Sequence, residues 1–353
     1  MKRKPLKIGD LTAKFPLIQG GMGVGISLSR LAGAVAAEGG VGIISTAQIG
    51  FREPGFDENP IETNLAAIGK EIRKAREIAP KGIIGCNIMV ATRRYEDYVR
   101  AAAKAGADLI ISGAGLPAKL PELVRGFGTR IAPVVSSLKS VSVILKLWDR
   151  HYQTVPDLVV VEGPEAGGHL GFSEETLETL TPAAYDEEIR KISARVKEYG
   201  DRYGRKIPVI VAGGVYSRQD VAHCMDELGA DGVQAATRFV TTEECDAPES
   251  YKQAYIDAKK EDIVIIKSPV GMPGRAIRNR FLEEAKAGRK PPVKCHQCLE
   301  KCSPKEIPYC ITDALVNAAK GKIEDALLFC GSNAYRAERI ETVHEVVEDL
   351  MTV

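Results

Sequence analysis

One glycine-rich turn that carries a histidine is the part of this chain best suited to chemistry. Residues 162–171 read Glu-Gly-Pro-Glu-Ala-Gly-Gly-His-Leu-Gly and continue an apolar run that starts at Leu158. Glycine allows positive φ and close approach of the backbone to a flat ligand, and α/β sheets keep their sites in turns that follow strands. A lone histidine is more often a surface or satisfied core residue. The flanking glycines favour a catalytic role for His169.

Two later turns favour a phosphate site. Gly213 and Gly214 follow one apolar run, and Gln234 to Thr237 end the next. In barrels, the loops after the last two strands and a nearby short helix offer converging backbone N–H groups to a phosphate. Either turn alone is equally consistent with ordinary loop glycine. Their occurrence after consecutive final strands favours a cofactor that bears a phosphate.

Earlier turns suit the planar part of such a cofactor. Residues 19–25 read Gln-Gly-Gly-Met-Gly-Val-Gly, and Asn87 ends the third apolar run. Small residues beside a methionine fit the face of a ring, and an amide side chain pairs with ring nitrogen and oxygen atoms.

A cluster of cysteines near the C-terminus suggests metal chemistry. Cys295, Cys298 and Cys302 have the spacing C-x2-C-x3-C, and Cys310 follows. This pattern suits an iron–sulfur cluster and is also compatible with tetrahedral zinc or with no metal. Cys330 is expected to be buried instead of metal-bound.

The elements that position these residues alternate regularly from residue 17 to about residue 240. Apolar runs typical of strands are separated by helical stretches, which indicates a parallel sheet with crossover helices. Eight strands close a TIM (β/α)8 barrel, so the predicted fold class is α/β. The eight runs are 16–18, 41–45, 82–87, 108–112, 131–136, 158–162, 209–212 and 232–235.

The alternation ends near residue 245, which gives three predicted regions. Residues 1–245 form the barrel, residues 246–290 a helical segment that packs on it, and residues 291–353 a smaller helical, cysteine-rich extension. Two insertions, at 46–60 and 170–204, are expected to be lid loops. The amphipathic stretch from Ala334 to Leu350 suits packing on the barrel or on a second subunit, which leaves a homodimer open.

Composition excludes several classes of function. The 353 residues are 44% hydrophobic and 27% charged, with a formal net charge of +1. No global field favours nucleic acid or an anionic membrane, and neither a membrane-length apolar run nor a signal-type apolar segment after Lys2 is present. The expected location is the cytoplasm, and the expected partner is a small-molecule substrate. Gly113 to Ala118 fits a dinucleotide pattern only formally, because Pro117 interrupts the turn.

Taken in order, the motifs resemble those of the nitronate monooxygenase family, formerly called 2-nitropropane dioxygenases, which includes the flavin-dependent enoyl-acyl-carrier-protein reductases. The resemblance runs from residue 5 to about residue 285 and implies a TIM barrel that binds FMN. The motifs that carry it are Gln19–Gly23, Gly85–Asn87, Gly113–Gly115, Glu162–Gly171, Ala212–Gly214, Gln234–Phe239 and Gly274–Asn279.

Carried over residue by residue, the resemblance implies a catalytic or substrate-facing histidine at His169. It implies flavin contacts at Met22, Asn87 and Gly168. The phosphate contacts that it implies are Gly213, Gly214, Gln234 and Thr237. Where the family usually has Gly-Thr after the last strand, this chain has Ala236-Thr237, which should leave the N–H donors in place. The cysteine-rich region lies outside the family pattern. The complete predicted cofactor set is Gly21, Met22, Gly23, Asn87, Glu162, Gly168, Gly213, Gly214, Gln234, Ala235, Ala236 and Thr237.

The function that this resemblance implies is oxidation of alkyl nitronates by O2 to carbonyl compounds and nitrite, with FMN as cofactor. An alternative is an NAD(P)H-dependent enoyl-acyl-carrier-protein reductase acting on an enoyl thioester, with the same flavin and the same histidine. A third class, a flavin redox sensor or electron carrier, would use the cysteine region as its main device.

Overall fold

A closed barrel of eight parallel strands forms the body of the protein. The computed structural model describes residues 3–290, 292 and 294–352. Within these residues the strands are β1 (Leu6–Ile8), β2 (Leu11–Ala13), β3 (Leu17–Gln19), β4 (Val41–Ser45), β5 (Ile83–Met89), β6 (Leu109–Gly113), β7 (Arg130–Val135), β8 (Val159–Glu162), β9 (Gly168–His169), β10 (Val209–Ala212), β11 (Gly232–Ala235), β12 (Ile263–Lys267) and β13 (Pro273–Ile277).

The barrel runs β3 to β8 and closes through β10 and β11. Each of the eight predicted apolar runs supplies one of these strands, so the predicted TIM barrel is confirmed. Strands buried on both faces read as continuous Val, Ile and Leu runs, which is why they were visible in the sequence. The interior is filled by side chains such as Ile43, Ile111 and Val160, all at most 1% exposed.

The amino-terminal end of the barrel is covered by the hairpin β1–β2. Leu6 and Ile8 join the same apolar cluster as the barrel interior, and Asp10 in the turn pairs with Arg130 at the start of β7. Chemistry is therefore expected at the opposite end, where the carboxyl ends of the strands lie.

The helices lie outside the barrel. The α1 helix is capped by Gly39, whose left-handed φ of 99° glycine adopts without strain. Within the described residues the α-helices are α1 (Ser29–Glu38), α2 (Pro60–Ile78), α3 (Tyr95–Lys104), α4 (Leu120–Leu123), α5 (Leu138–Tyr152), α6 (Glu174–Thr179), α7 (Pro182–Arg202), α8 (Arg218–Ala222), α9 (Thr237–Val240), α10 (Glu249–Asp257), α11 (Arg280–Ala287), α12 (Ile311–Ala319) and α13 (Val343–Met351).

The region 170–204 differs from the predicted lid loop. It contains α6 and the long helix α7, which packs against α5 as a barrel helix does. Tyr185, Ile189, Ile192 and Val196 are buried along one face of α7. Their spacing of three to four residues is the amphipathic helix pattern, so the lid prediction was wrong for this stretch.

Residues 246–290 contain more than the predicted helices. Between α10 and α11, strands β12 and β13 form an antiparallel hairpin, and β9 adds a third strand. In the described part of the C-terminal region, α13 packs against the barrel helices α1 and α8. The amphipathic C-terminal stretch is thus buried within the chain itself, while the division into three units stays a prediction. No helix in the described part of the chain is long and apolar enough to cross a membrane.

Candidate active site

The predicted site residues gather at the carboxyl ends of the barrel strands. The structure places Gly21, Met22 and Gly23 after β3, Asn87 on β5, Glu162 at the end of β8, Gly168 and His169 on β9, Gly213 and Gly214 after β10, Gln234 and Ala235 on β11, and Ala236 and Thr237 at the start of α9. We call this region the strand-end site. Its role in cofactor binding stays a prediction.

Close backbone packing brings the first and last strands of the barrel together. The Gly20 N–H donates to the carbonyl of Ala235 at 2.8 Å, and a β-carbon on Gly20 would lie 3.5 Å from Cγ of Gln234. A β-carbon on Gly21 would clash with the side chain of Asn87. Only glycine therefore fits beside Asn87. The next residue, Met22, is held by its backbone N–H, which donates to the Ser27 hydroxyl at 2.8 Å.

Gly213 and Gly214 form a sharply turned loop after β10. Their φ angles of 90° and 87° lie in the left-handed region, which disfavours any side chain. A β-carbon on Gly213 would lie 3.0 Å from the Gly163 carbonyl oxygen. We call Gly213, Gly214, Ala236 and Thr237 the phosphate cup, because they belong to the two loops predicted to bind phosphate, which follow the neighbouring strands β10 and β11.

His169 is fixed by contacts from the C-terminal third of the chain. It pairs with Gly274 of β13, its Nε2 lies 2.7 Å from Oγ of Ser268, and its ring meets that of Phe329 edge-on at 4.9 Å. Burial lowers the pKa of His169 from 6.5 to about 4. The imidazole is therefore neutral at pH 7 and is held in one orientation by the serine.

Glu162 places a carboxyl group on the strand that leads to His169. It is in register with Ala212 of β10, and its backbone carbonyl accepts a hydrogen bond from the Tyr185 hydroxyl at 3.0 Å. Burial raises the pKa of the Glu162 carboxyl from 4.5 to about 7. A carboxyl group that titrates near neutrality at a strand carboxyl end is typical of acid–base sites.

Sequence reasoning missed the residues that complete this region. Ser268 lies in a glycine- and proline-containing segment, and Phe329 precedes Cys330 in a stretch that was assigned only as buried. Neither position follows a barrel strand. Their proximity to His169 results from the β9–β13 pairing and from the bridge between Ala276 and Phe329.

The four cysteines predicted to bind metal are not arranged as a ligand set. Cys295, Cys298, Cys302 and Cys310 line one cavity of about 20 Å³, but across residues 3–290, 292 and 294–352 no group of three or more His, Cys, Asp or Glu side chains could hold a metal ion. The iron–sulfur or zinc site is therefore not supported.

Packing accounts for the position of these thiols. Cys298 and Cys302 contact an apolar cluster that includes Leu299 and Tyr309, and burial raises the pKa of the Cys310 thiol to about 12. A protonated thiol packs as a small apolar group. Cys330, expected from the sequence to be buried, is 2% exposed.

A closed parallel barrel with glycine loops and a half-buried histidine at the carboxyl ends of its strands has the arrangement of a TIM-barrel enzyme. Comparison with known families makes the class specific. The chain belongs to the nitronate monooxygenase family, whose model matches residues 4–352. It is therefore an oxidoreductase of a family that uses the flavin FMN.

Two relatives of similar identity carry different names. A probable nitronate monooxygenase of Staphylococcus saprophyticus is 25% identical over 80% of this chain and 81% of its own length. A Mycobacterium tuberculosis protein named (3aS,4S,5R,7aS)-5-hydroxy-7a-methyl-1-oxo-octahydro-1H-indene-4-carboxyl-CoA dehydrogenase is 28% identical over 78% of this chain and 66% of its own length.

Solved structures show the same fold. FabK from Thermotoga maritima has a TM-score of 0.73 and 26% identity, and the match covers 96% of this chain and 92% of that one. A nitroalkane oxidase from Streptomyces ansochromogenes has a TM-score of 0.71 at 19% identity, covering 96% of this chain and 95% of the other. The second likeness concerns the fold alone.

Proposed function

We propose that this protein binds FMN in the strand-end site and oxidises alkyl nitronates with O2, releasing a carbonyl compound and nitrite. The observation that carries the proposal is the neutral, half-buried His169, held by Ser268 and Phe329 at the end of the barrel that also carries the predicted glycine loops. Membership of the nitronate monooxygenase family supports the reaction class.

The residues present fit a flavin mononucleotide. Gly213 and Gly214 offer a turned backbone with no side chains, and Thr237 adds a hydroxyl where the phosphate would lie. Next to Gly21, the amide of Asn87 would hydrogen-bond the edge of the ring system, while the backbone of Met22 and Gly23 would lie along it. Bound FMN would supply the electron acceptor for the nitronate and the means of reducing O2.

His169 is suited to handle charge on the nitro group. With Nε2 at 2.7 Å from Ser268, the nitrogen left for a substrate is Nδ1. A neutral imidazole can donate a hydrogen bond to a nitro oxygen in one tautomer, or accept the α-proton of a neutral nitroalkane in the other. Ser268 can serve either tautomer, because a hydroxyl both donates and accepts. Phe329 restricts the ring and keeps water from that side.

The direct test is an assay with propane 2-nitronate as substrate and no nicotinamide. FMN-loaded protein is expected to consume O2 and to release nitrite and acetone, and flavin-stripped protein is the control. If the loaded protein leaves the nitronate unchanged, the proposed substrate class is wrong.

A second candidate function is reduction of an enoyl thioester by NAD(P)H. The observation in its favour is that the mycobacterial relative is named for a coenzyme A thioester, as a dehydrogenase. In that reaction His169 would orient the thioester or donate a proton. Oxidation of NADH that depends on added crotonyl thioester would support this candidate over the first.

A further inference from the structure

We infer that the hydroxyl of Ser332 is a ligand of the cofactor phosphate, supplied to the phosphate cup by the C-terminal part of the chain. This inference rests on the proposed FMN binding and names a residue that the family motifs do not include. It concerns a phosphate monoester, which distinguishes FMN from riboflavin.

Three consecutive residues join this segment to three loops of the strand-end site. The Gly331 N–H donates to Oγ1 of Thr237 at 2.9 Å, and the Asn333 side-chain amide donates to the Gly214 carbonyl at 2.7 Å. Between them, the Ser332 N–H donates to the Glu165 carbonyl at 3.1 Å. Ser332 is thereby held between the two loops of the phosphate cup.

The Ser332 hydroxyl makes no hydrogen bond within the described residues. Its Oγ is buried and has no hydrogen-bond partner there. A buried hydroxyl without a partner is unfavourable, so such a group calls for an explanation by a ligand or an ordered water. A phosphate is the ligand expected at this position, and hydrogen bonds to its charged oxygens are stronger than those between neutral groups.

The neighbours of Ser332 fit the same ligand. Thr237 already accepts from Gly331, which leaves its own O–H free to donate. A β-carbon on Gly331 would lie 2.6 Å from Oγ1 of Thr237, so only glycine allows this approach. The segment is anchored from behind as well, because the Tyr251 hydroxyl donates to the Phe329 carbonyl at 3.1 Å.

The test compares FMN with riboflavin, which lacks the phosphate. In the full-length protein, Ser332→Ala is expected to weaken FMN binding roughly tenfold while riboflavin affinity stays the same, because one charge-assisted hydrogen bond is lost. Ser193→Ala is the matched control, since Oγ of Ser193 in α7 is also buried without a partner in the described chain. The control should change neither affinity.

The ratio of FMN affinity to riboflavin affinity distinguishes phosphate binding by Ser332 from a packing role. If Ser332→Ala weakens both flavins equally, or leaves the ratio of their affinities unchanged, Ser332 has a packing role and the inference is wrong. Ser332→Cys, which keeps the size of the side chain but donates weakly, replaces the alanine variant if that variant does not fold. Wild-type protein that binds neither flavin would refute the proposed function itself, whereas wild-type preference for FMN with an unaffected Ser332→Ala refutes only this inference.

Discussion

In the proposed function, His169 is a neutral group that Ser268 and Phe329 orient. His169→Ala is expected to retain FMN and to lower turnover on the order of 100-fold, as loss of a general acid or base does. Steady-state rates with FMN content measured in parallel test this, and His151→Ala, in the exposed last turn of α5, is the control. Wild-type activity would return His169 to a structural role, and joint loss of flavin would make it a scaffold residue.

Glu162 is expected to make the folding stability of the flavin-free protein depend on pH. Its folded pKa, about 7, is above its ordinary value of 4.5, so the folded state binds more protons between these values. The stabilisation that Glu162 contributes is fully present below pH 4.5 and is lost as the pH rises through 7. His169, with its lowered pKa, acts oppositely, and its contribution is lost as the pH falls from 6.5 toward 4.

Glu162→Gln isolates the carboxyl group, because both proteins retain His169. The melting temperature of flavin-free Glu162→Gln, relative to wild type, is expected to increase as the pH rises from 4.5 to above 7. A difference that is constant over this range would show that Glu162 does not titrate there.

At the scale of elements, the loop after β10 decides whether the phosphate cup is placed correctly. Gly214→Asp is expected to weaken FMN binding strongly, because a carboxylate would occupy the position proposed for the phosphate and would also displace Glu165. Gly229→Asp is the matched control. Gly229 has a similar φ of 74°, but a β-carbon there meets nothing within 4 Å. Equal FMN affinity in the two variants would show that the cup lies elsewhere.

Strands and local turns were predictable to different degrees. The barrel strands were readable because each is a continuous apolar run, and the loops that follow them placed His169, Asn87 and Gly213 at one end of the barrel. The β9–β13 pairing was not readable, because β9 has two residues and its partner lies more than a hundred residues away along the chain. Ser268 and Phe329 reach His169 through that pairing and through the bridge between Ala276 and Phe329.

The cysteines illustrate the opposite error. Their spacing permitted a cluster, but sequence spacing does not determine whether thiolates converge. Convergence depends on the loop conformation, which here follows its contacts with the loop after β5. Leu299 bridges to Thr92 and the Arg93 N–H donates to the Cys298 carbonyl at 3.2 Å.

For the whole molecule, the C-terminal region and the barrel are expected to unfold together. Leu350 of α13 is fully buried against the barrel helices, so Leu350→Ala should destabilise the protein by about 2–5 kcal/mol. The control Leu116→Ala removes a side chain that is 42% exposed and should change stability by less than about 0.5 kcal/mol. Denaturant unfolding followed by circular dichroism measures both, and a separate early transition in Leu350→Ala would show an independent C-terminal unit.

In the proposed function, the strand-end site, loaded with FMN, acts on nitronates. A comparison of kcat/KM for propane 2-nitronate with O2 and no nicotinamide against crotonyl thioester with NADH, on one preparation of FMN-loaded protein, separates this function from thioester reduction. Efficient turnover of the nitronate with stoichiometric nitrite is expected, with slow or no reduction of the thioester. Faster thioester reduction, or nitronate consumption that requires NADH, would contradict it.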